Sequence, residues 1–279
     1  MDDKGCASEP RPGPKPPVKW AGGKGRLIAQ FWPLFPKKGF ELYLEPFLGG
    51  GAVFFSLLPE RAVLIDRNEE LINFYLVVRD QLEDLLADLK RHRNTKEYYY
   101  ALRSADPQHL KPVERASRFL YLNKTGYNGL WRVNSKGKHN VPFGRYKNPK
   151  ITDGENLRLV STALKKAEIL CADFSSVLNY AKPGAFVYLD PPYHPVSNTA
   201  SFTTYTANAF KVEDQYRLGE VFRKLDANGC FVMLSNSDTP FVRYLYRGYD
   251  IQVVYAKRVI NSRPDRRGPV TELVIRNYS

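Results

Sequence analysis

At 279 residues, 43% hydrophobic and 25% charged, the chain has ordinary globular composition for one large domain or two modest ones, which excludes disordered, collagen-like and disulfide-scaffold readings. Its longest apolar runs, residues 185–189 and 230–234, fall far short of the ~20 residues that a membrane-spanning helix needs. The formal charge of +13, from 42 Lys and Arg against 29 Asp and Glu, points towards a polyanionic partner.

Residues 1–17 carry mixed charge and five prolines with no apolar segment, so a flexible tail is expected there rather than a signal peptide or lipid anchor. Residues 41–45 predict a strand, followed by Gly49-Gly50-Gly51 and an apolar helix start over residues 52–58. A second strand, 62–65, ends in Asp66. From residue 69 to about 122, the spacing of Leu71, Ile72, Tyr75, Leu82, Leu85, Leu86 and Leu89, then of Phe119, Tyr121 and Leu122, predicts amphipathic helices. Residues 126–150 are rich in Gly, Asn and Pro and predict loops with a β-hairpin around Ser135-Lys136-Gly137. Between Lys111 and Lys150 stand ten basic residues and one acid, Glu114, a local charge of +9 that reads as a nucleic-acid footprint.

Strands return at 168–171, 186–189 and 231–234, followed by Asp173, by Asp190, and by Ser235 with Asn236. Two more, 250–260 and 270–278, flank a basic loop with Arg263, Arg266 and Arg267 and predict an antiparallel hairpin. Short strands, apolar throughout and separated by helix-length segments, predict an α/β fold with a mostly parallel sheet covered on both faces. Ligands in such sheets bind beyond the carboxyl ends of the strands, where Asp66, Asp173, Asp190, Ser235 and Asn236 would converge. The three cysteines, 6, 171 and 230, form no C-x-x-C pair and no cluster with histidine, which predicts a reducing cytoplasmic setting and no metal. Cys171 and Cys230 are expected to be buried on their strands.

Two motifs carry chemistry. In Glu45-Pro46-Phe47-Leu48-Gly49-Gly50-Gly51, a strand enters glycines and then a helix, so the backbone can approach a ligand closely, and Asp66 is placed to accept hydrogen bonds from ribose hydroxyls. Position 54 is Phe, which departs from the G-x-G-x-x-G dinucleotide pattern and suits a nucleoside without a pyrophosphate. In Asp190-Pro191-Pro192-Tyr193, a strand-end carboxylate, two prolines that remove N–H donors, and an aromatic face form an acceptor-rich pocket with a stacking wall. Such a pocket suits an exocyclic amine: Asp190 and the Pro191 carbonyl would accept its two N–H bonds while Tyr193 stacks on the base, directing the nitrogen lone pair at an electrophile. Taken singly, Trp20 reads as core packing, Lys24 as a solvated charge, and Asp66 or Asp173 as helix caps.

These motifs, with Lys19-Trp20-Ala21-Gly22-Gly23-Lys24 before them and a basic helical insert between them, make the chain similar to the Dam-type, alpha-ordered (D12 class) DNA adenine-N6 methyltransferases. The likeness runs from about Val18 to the C-terminus. It includes Asn123-Lys124-Thr125-Gly126-Tyr127-Asn128-Gly129-Leu130-Trp131-Arg132, Asn134 to Gly137, and Asn140-Val141-Pro142-Phe143-Gly144-Arg145-Tyr146, which resemble the family's target-recognition hairpin, as well as residues 197–210 and 234–238.

The resemblance implies methyl transfer from S-adenosyl-L-methionine to N6 of adenine in double-stranded DNA, with the base flipped out and GATC the analogous site. It implies a methyltransferase domain of residues 18–70 and 151–279 and a recognition domain of residues 71–150, in a protein expected to be monomeric and bound to no membrane. Asp190, Pro191, Pro192 and Tyr193 form the implied catalytic set. Trp20, Lys24, Phe47, Gly49, Gly51, Asp66 and Asp190 line the implied cofactor site, with Asp173 and Phe174 at the cofactor adenine. Lys19, Asn128, Leu130, Arg132, Pro142 and Tyr146 are placed at the DNA, Arg132 reading a guanine. From composition alone, residues 197–208, rich in Ser, Thr and Ala, are expected either to close over the extruded base or to act as a passive connector. Three alternatives remain: cytosine-N4 methylation, whose motif often has Ser where Asp190 stands; a catalytically inactive DNA-binding relative; and a dehydrogenase, disfavoured by the glycine spacing.

Overall fold

The computed structural model describes residues 13–196, 210–257 and 269–279. Cys6, the expected closing segment 197–208 and the loop with Arg263, Arg266 and Arg267 lie outside the described residues. Seven strands, β1 (Tyr43–Glu45), β2 (Ala62–Asp66), β3 (Ala167–Cys171), β4 (Phe186–Leu189), β5 (Phe231–Ser237), β6 (Asp250–Lys257) and β7 (Pro269–Arg276), form one sheet in the order β3-β2-β1-β4-β5-β7-β6. β1 to β5 pair in parallel, and β7 lies antiparallel between β5 and β6.

Alternation along the strands feeds two cores. Ala62, Leu64, Phe186 and Tyr188 face a cluster with Phe54, Phe74, Phe119 and Leu164. Val63, Ile65, Val187 and Leu189 face the opposite cluster with Leu218, Phe222 and Val242. The continuous apolar strands are thus explained by burial on both faces. The first core is built by α1 (Ile28–Phe31), α2 (Ala52–Leu57) and the run α3 (Glu69–Asp80), α4 (Leu82–Leu89), α5 (Lys96–Ser104), α6 (Pro112–Thr125) and α7 (Gly154–Leu164), and the second by α8 (Val212–Ala227) and α9 (Pro240–Leu245).

Helix starts follow capping chemistry. The Asn68 side chain accepts from Leu71 N at 3.0 Å ahead of α3, Thr95 from Tyr98 N at 3.3 Å ahead of α5, and Asp153 from Asn156 N at 3.4 Å ahead of α7. Pro112 opens α6, where its missing N–H costs nothing.

One fully buried amide fastens the N-terminal segment to the helical insert. Asn123 on α6 accepts from Lys19 N at 2.9 Å and donates to Lys19 O at 2.8 Å and Gly129 O at 3.1 Å. Earlier still, within the expected tail, Lys15 exchanges two backbone bonds with the Asn156 side chain, at 2.8 and 2.9 Å, and Pro17 is buried. Cys171, expected to be buried, is exposed, because β3 is an outer strand of the sheet; Cys230 is buried. Among the described residues no helix is long and apolar enough to cross a membrane.

Candidate active site and nucleic-acid interface

Strand order reverses between β1 and β4, which opens a crevice beyond their carboxyl ends. Glu45 closes β1 and Asp66 closes β2, while Asp190 follows β4. Lys24 is 4% exposed, a buried ammonium rather than a solvated charge. It stands 2.7 Å from Asp190 Oδ1, donates to Gly22 O at 2.6 Å, and sits over the Tyr193 ring, 4.7 Å from its centroid. The approach to Oδ1 is a close ion pair. Burial raises the Asp190 pKa, Lys24 opposes the rise, and Glu272 adds to it. Glu45 is raised well above the ordinary carboxyl range, first by burial, against a hydrogen bond donated by Tyr43 Oη at 3.0 Å.

The turn after Asp190 is held from three sides. Gln215 Nε2 donates to Pro192 O at 3.0 Å, Asn236 Oδ1 accepts from His194 N at 3.1 Å, and Ser237 Oγ donates to His194 O at 2.6 Å. Tyr193 Oη donates to Glu272 Oε2 at 2.6 Å. The His194 ring lies stacked on Phe241, 4.6 Å between centroids.

A second part of the crevice forms around the glycine turn. Gly49 has φ +48°, and a Cβ there would come within 2.7 Å of the Trp20 indole, so only glycine fits against this ring. Gly51 has φ +68° and caps α2. Asp66 accepts from Gly49 N and Asn68 N, both at 2.9 Å, and burial raises its pKa; it is not the cap of α3, a place taken by Asn68. Nearby, Phe47 stacks on Phe174 with centroids 5.2 Å apart, and Phe210 meets both rings edgewise or tilted. Asp173 caps the short helix Phe174–Asn179 and takes Arg217 Nη2 at 2.7 Å, while the Arg217 guanidinium lies over Phe174 at 4.8 Å. Burial would raise the Asp173 pKa, but hydrogen bonds from Ser175 and the charge of Arg217 hold it below the ordinary value.

A basic, aromatic surface is built on the end of α6. Asn134 N donates to Lys138 O at 2.9 Å, Asn140 N to Arg132 O at 3.0 Å, and the Asn134 side chain accepts from Lys136 N and Lys138 N, both at 3.0 Å. The expected hairpin is therefore present as a tight turn, paired by the isolated bridge Val133–His139 rather than a ladder. Arg132 is exposed, with Nε donating to Asn140 Oδ1 at 2.8 Å. Behind it Trp131 packs on Phe119 and on His139, with centroids 4.4 Å away in each case. Burial and the cations Arg118, Arg103 and Arg132 push the His139 pKa down to about 3, so this imidazole is a neutral plate at physiological pH.

Lys19, Asn128 and Tyr146 are brought together: Lys19 Nζ lies 4.8 Å from the Tyr146 ring centroid, and Tyr146 Oη accepts from Asn128 N at 2.9 Å. Leu130 is half-buried, and exposed Pro142 accepts from Tyr127 N at 2.8 Å. Not every cation of the basic stretch faces solvent. Arg118 is buried and donates to Leu102 O and Arg103 O at 2.9 Å, and Arg115 pairs with Glu70.

The family model for D12 class N6 adenine-specific DNA methyltransferases matches residues 20–260. The chain belongs to that family. The Type II methyltransferase M1.LlaDCHI of Lactococcus lactis subsp. cremoris is 44% identical over 272 residues, covering 95% of each chain. M.MjaIII of Methanocaldococcus jannaschii, also a Type II methyltransferase, is 44% identical over 286 residues, covering 95% of this chain and 99% of its own. The DNA adenine methylase of Escherichia coli (strain K12) is 37% identical over 261 residues, covering 92% of this chain and 93% of its own.

Within this adenine-specific methyltransferase, several site groups escaped the sequence reading. Glu45 was visible only as part of a motif, and Gln215, Arg217 and Glu272 reach the crevice from α8 and β7 without a local signature. The Lys24–Asp190 pair carries a pH prediction. Burial and Glu272 raise the Asp190 pKa and Lys24 alone lowers it, so Lys24→Met leaves only raising influences. If Asp190 acts as an ionised acceptor, the acid limb of the kcat–pH profile moves to higher pH in Lys24→Met. A limb at the wild-type pH, measured with saturating substrates, would contradict the pairing's role.

Proposed function

We propose that the chain transfers a methyl group from S-adenosyl-L-methionine to N6 of adenine in duplex DNA, within GATC, on a base flipped out of the helix. The observation that carries this reading is Asp190, half-buried at the switch point beside a lysine, an aromatic ring and two prolines. The donor set fits the cofactor. Asp66 offers acceptors to a ribose diol, Phe47, Phe174 and Asp173 offer a stacking face and an acceptor to an adenine, and Lys24 with Asp190 offers opposite charges to the amino-acid end. Gly49 keeps the backbone low beside Trp20, and Gly51 beside Phe55. When bound, S-adenosyl-L-methionine supplies a methyl carbon made electrophilic by its sulfonium.

The chain's own residues prepare the nucleophile. An adenine amine is weakly nucleophilic because its lone pair is delocalised into the ring. Asp190 and the Pro191 carbonyl accept its two N–H bonds, which favours a pyramidal nitrogen, and Tyr193 stacks on the base to fix its plane. Once methylated, the nitrogen is acidic enough to lose its proton to water, so His194, its ring stacked on Phe241, is not needed as a base. Extruding the adenine costs a few kcal/mol, offset by contacts to phosphates from the basic surface.

In this reading residues 71–150 recognise DNA, residues 18–70 and 151–279 carry out the chemistry, and the enzyme works in the cytoplasm as a monomer. Lys19, Asn128, Leu130, Pro142 and Tyr146 line the recognition surface. Holding Arg132 by its Nε leaves both Nη groups for guanine O6 and N7, a bidentate contact that discriminates by ~1–3 kcal/mol.

Two substitutions test the proposal. Asp190→Ala is expected to retain duplex binding and abolish methylation, and turnover within tenfold of wild type would refute the role of Asp190. Arg132→Ala is expected to lose about 10- to 100-fold of its preference for the cognate guanine over the other bases. An unchanged preference across a panel of singly substituted sites would remove the hairpin reading.

A further inference from the structure

Tyr193 is held at two points. One is the Lys24 ammonium over its ring; the other is Glu272, which accepts from Tyr193 Oη at 2.6 Å across 79 residues of sequence. Glu272 lies near the start of β7, in register with Ser237 at the end of β5 and with Val254 on β6. Because β7 runs antiparallel to β5, its first residues arrive at the same edge of the sheet as the last residues of the parallel strands. A strand that begins at the site thus delivers a carboxylate to a side chain placed there by a strand that ends at it.

The hold has a physical consequence. A tyrosine ring turns about two side-chain bonds, and packing against one face alone does not fix both. A hydrogen bond to a carboxylate at the para oxygen pins the far end of the ring, and it is the strong, charge-assisted kind. With Lys24 on one face, the ring presents its opposite face at a fixed tilt.

We propose that Glu272 is a positioning residue for methyl transfer, orienting the Tyr193 ring against which the target base stacks. This rests on the base-stacking reading of Tyr193 given above. Glu272 touches neither base nor cofactor in this proposal. Because Glu272 also adds to the Asp190 pKa, its positioning effect is read on the pH plateau of kcat; there it falls on kcat rather than on binding, and it disappears when the tyrosine hydroxyl is absent.

The test is a double-mutant cycle on the full chain, with kcat and KM measured for both substrates in wild type, E272A, E272Q, Y193F and E272A/Y193F. E272A is expected to lower kcat roughly 10- to 100-fold, the loss of a hydrogen bond to a charged group, with KM values within about threefold. E272Q, which keeps an acceptor oxygen, is expected to recover most of that loss. In the Y193F background the E272A substitution is expected to change kcat less than threefold. Full additivity, an E272Q enzyme as slow as E272A, or wild-type kcat in E272A would overturn the assignment. Y193A, read alongside, separates the two levels: wild-type turnover there removes the ring's role and this proposal with it. A slow Y193A with an unaffected E272A removes Glu272 alone.

Discussion

The arrangement of the crevice depends on holding the half-buried Asp190 carboxylate against the buried Lys24 side chain where the sheet changes direction. A buried carboxylate left alone takes up a proton and ceases to be an anionic acceptor, and a buried ammonium left alone gives one up. Here Lys24, 4% exposed and 2.7 Å from Oδ1, opposes the rise that desolvation imposes on the Asp190 pKa. The contact engages Oδ1, so the ion pair acts on the charge of Asp190 through one oxygen of its carboxylate. Lys24 also lies over the Tyr193 ring, so one cation sets both the protonation of the acid and one face of the neighbouring aromatic.

Much of the remaining structure supports that pair. The segment carrying Lys19 and Trp20 is fixed by the buried Asn123 amide, which ties the N-terminal motif to α6 and to the turn that starts the basic, aromatic surface. Trp20 in turn occupies the space that a side chain at Gly49 would need, and the Gly49 carbonyl accepts from Tyr75 Oη at 3.0 Å on α3. The crevice and the basic surface are therefore mechanically linked through three polar contacts and one indole, and displacement of α6 would be felt at the glycine turn.

Much of this was legible in the sequence because parallel strands buried on both faces are apolar throughout and end abruptly in polar residues. Asp66, Asp173, Asp190, Ser235 and Asn236 could be placed at one edge from that pattern, and the seven strands lie close to their expected limits. Other features had no local signal. The insertion of β7 between β5 and β6 is a long-range pairing, so nothing local singles out Glu272. Gln215 and Arg217 sit on a helix whose register against the sheet is set by packing. Charge counting overstated the basic surface, since Arg115 and Arg118 are spent on Glu70 and on buried carbonyls. Cys171 was misplaced because sequence does not tell an outer strand from an inner one.

The central claim is that this crevice grips the amine of an extruded adenine and methylates it. The most direct measurement incubates the purified protein with plasmid and S-adenosyl-L-methionine labelled in its methyl group, digests the DNA to nucleosides and identifies the labelled product. The account predicts that the label is found in N6-methyldeoxyadenosine. Label in N4-methyldeoxycytidine, or none in DNA from protein shown to be folded, would contradict it.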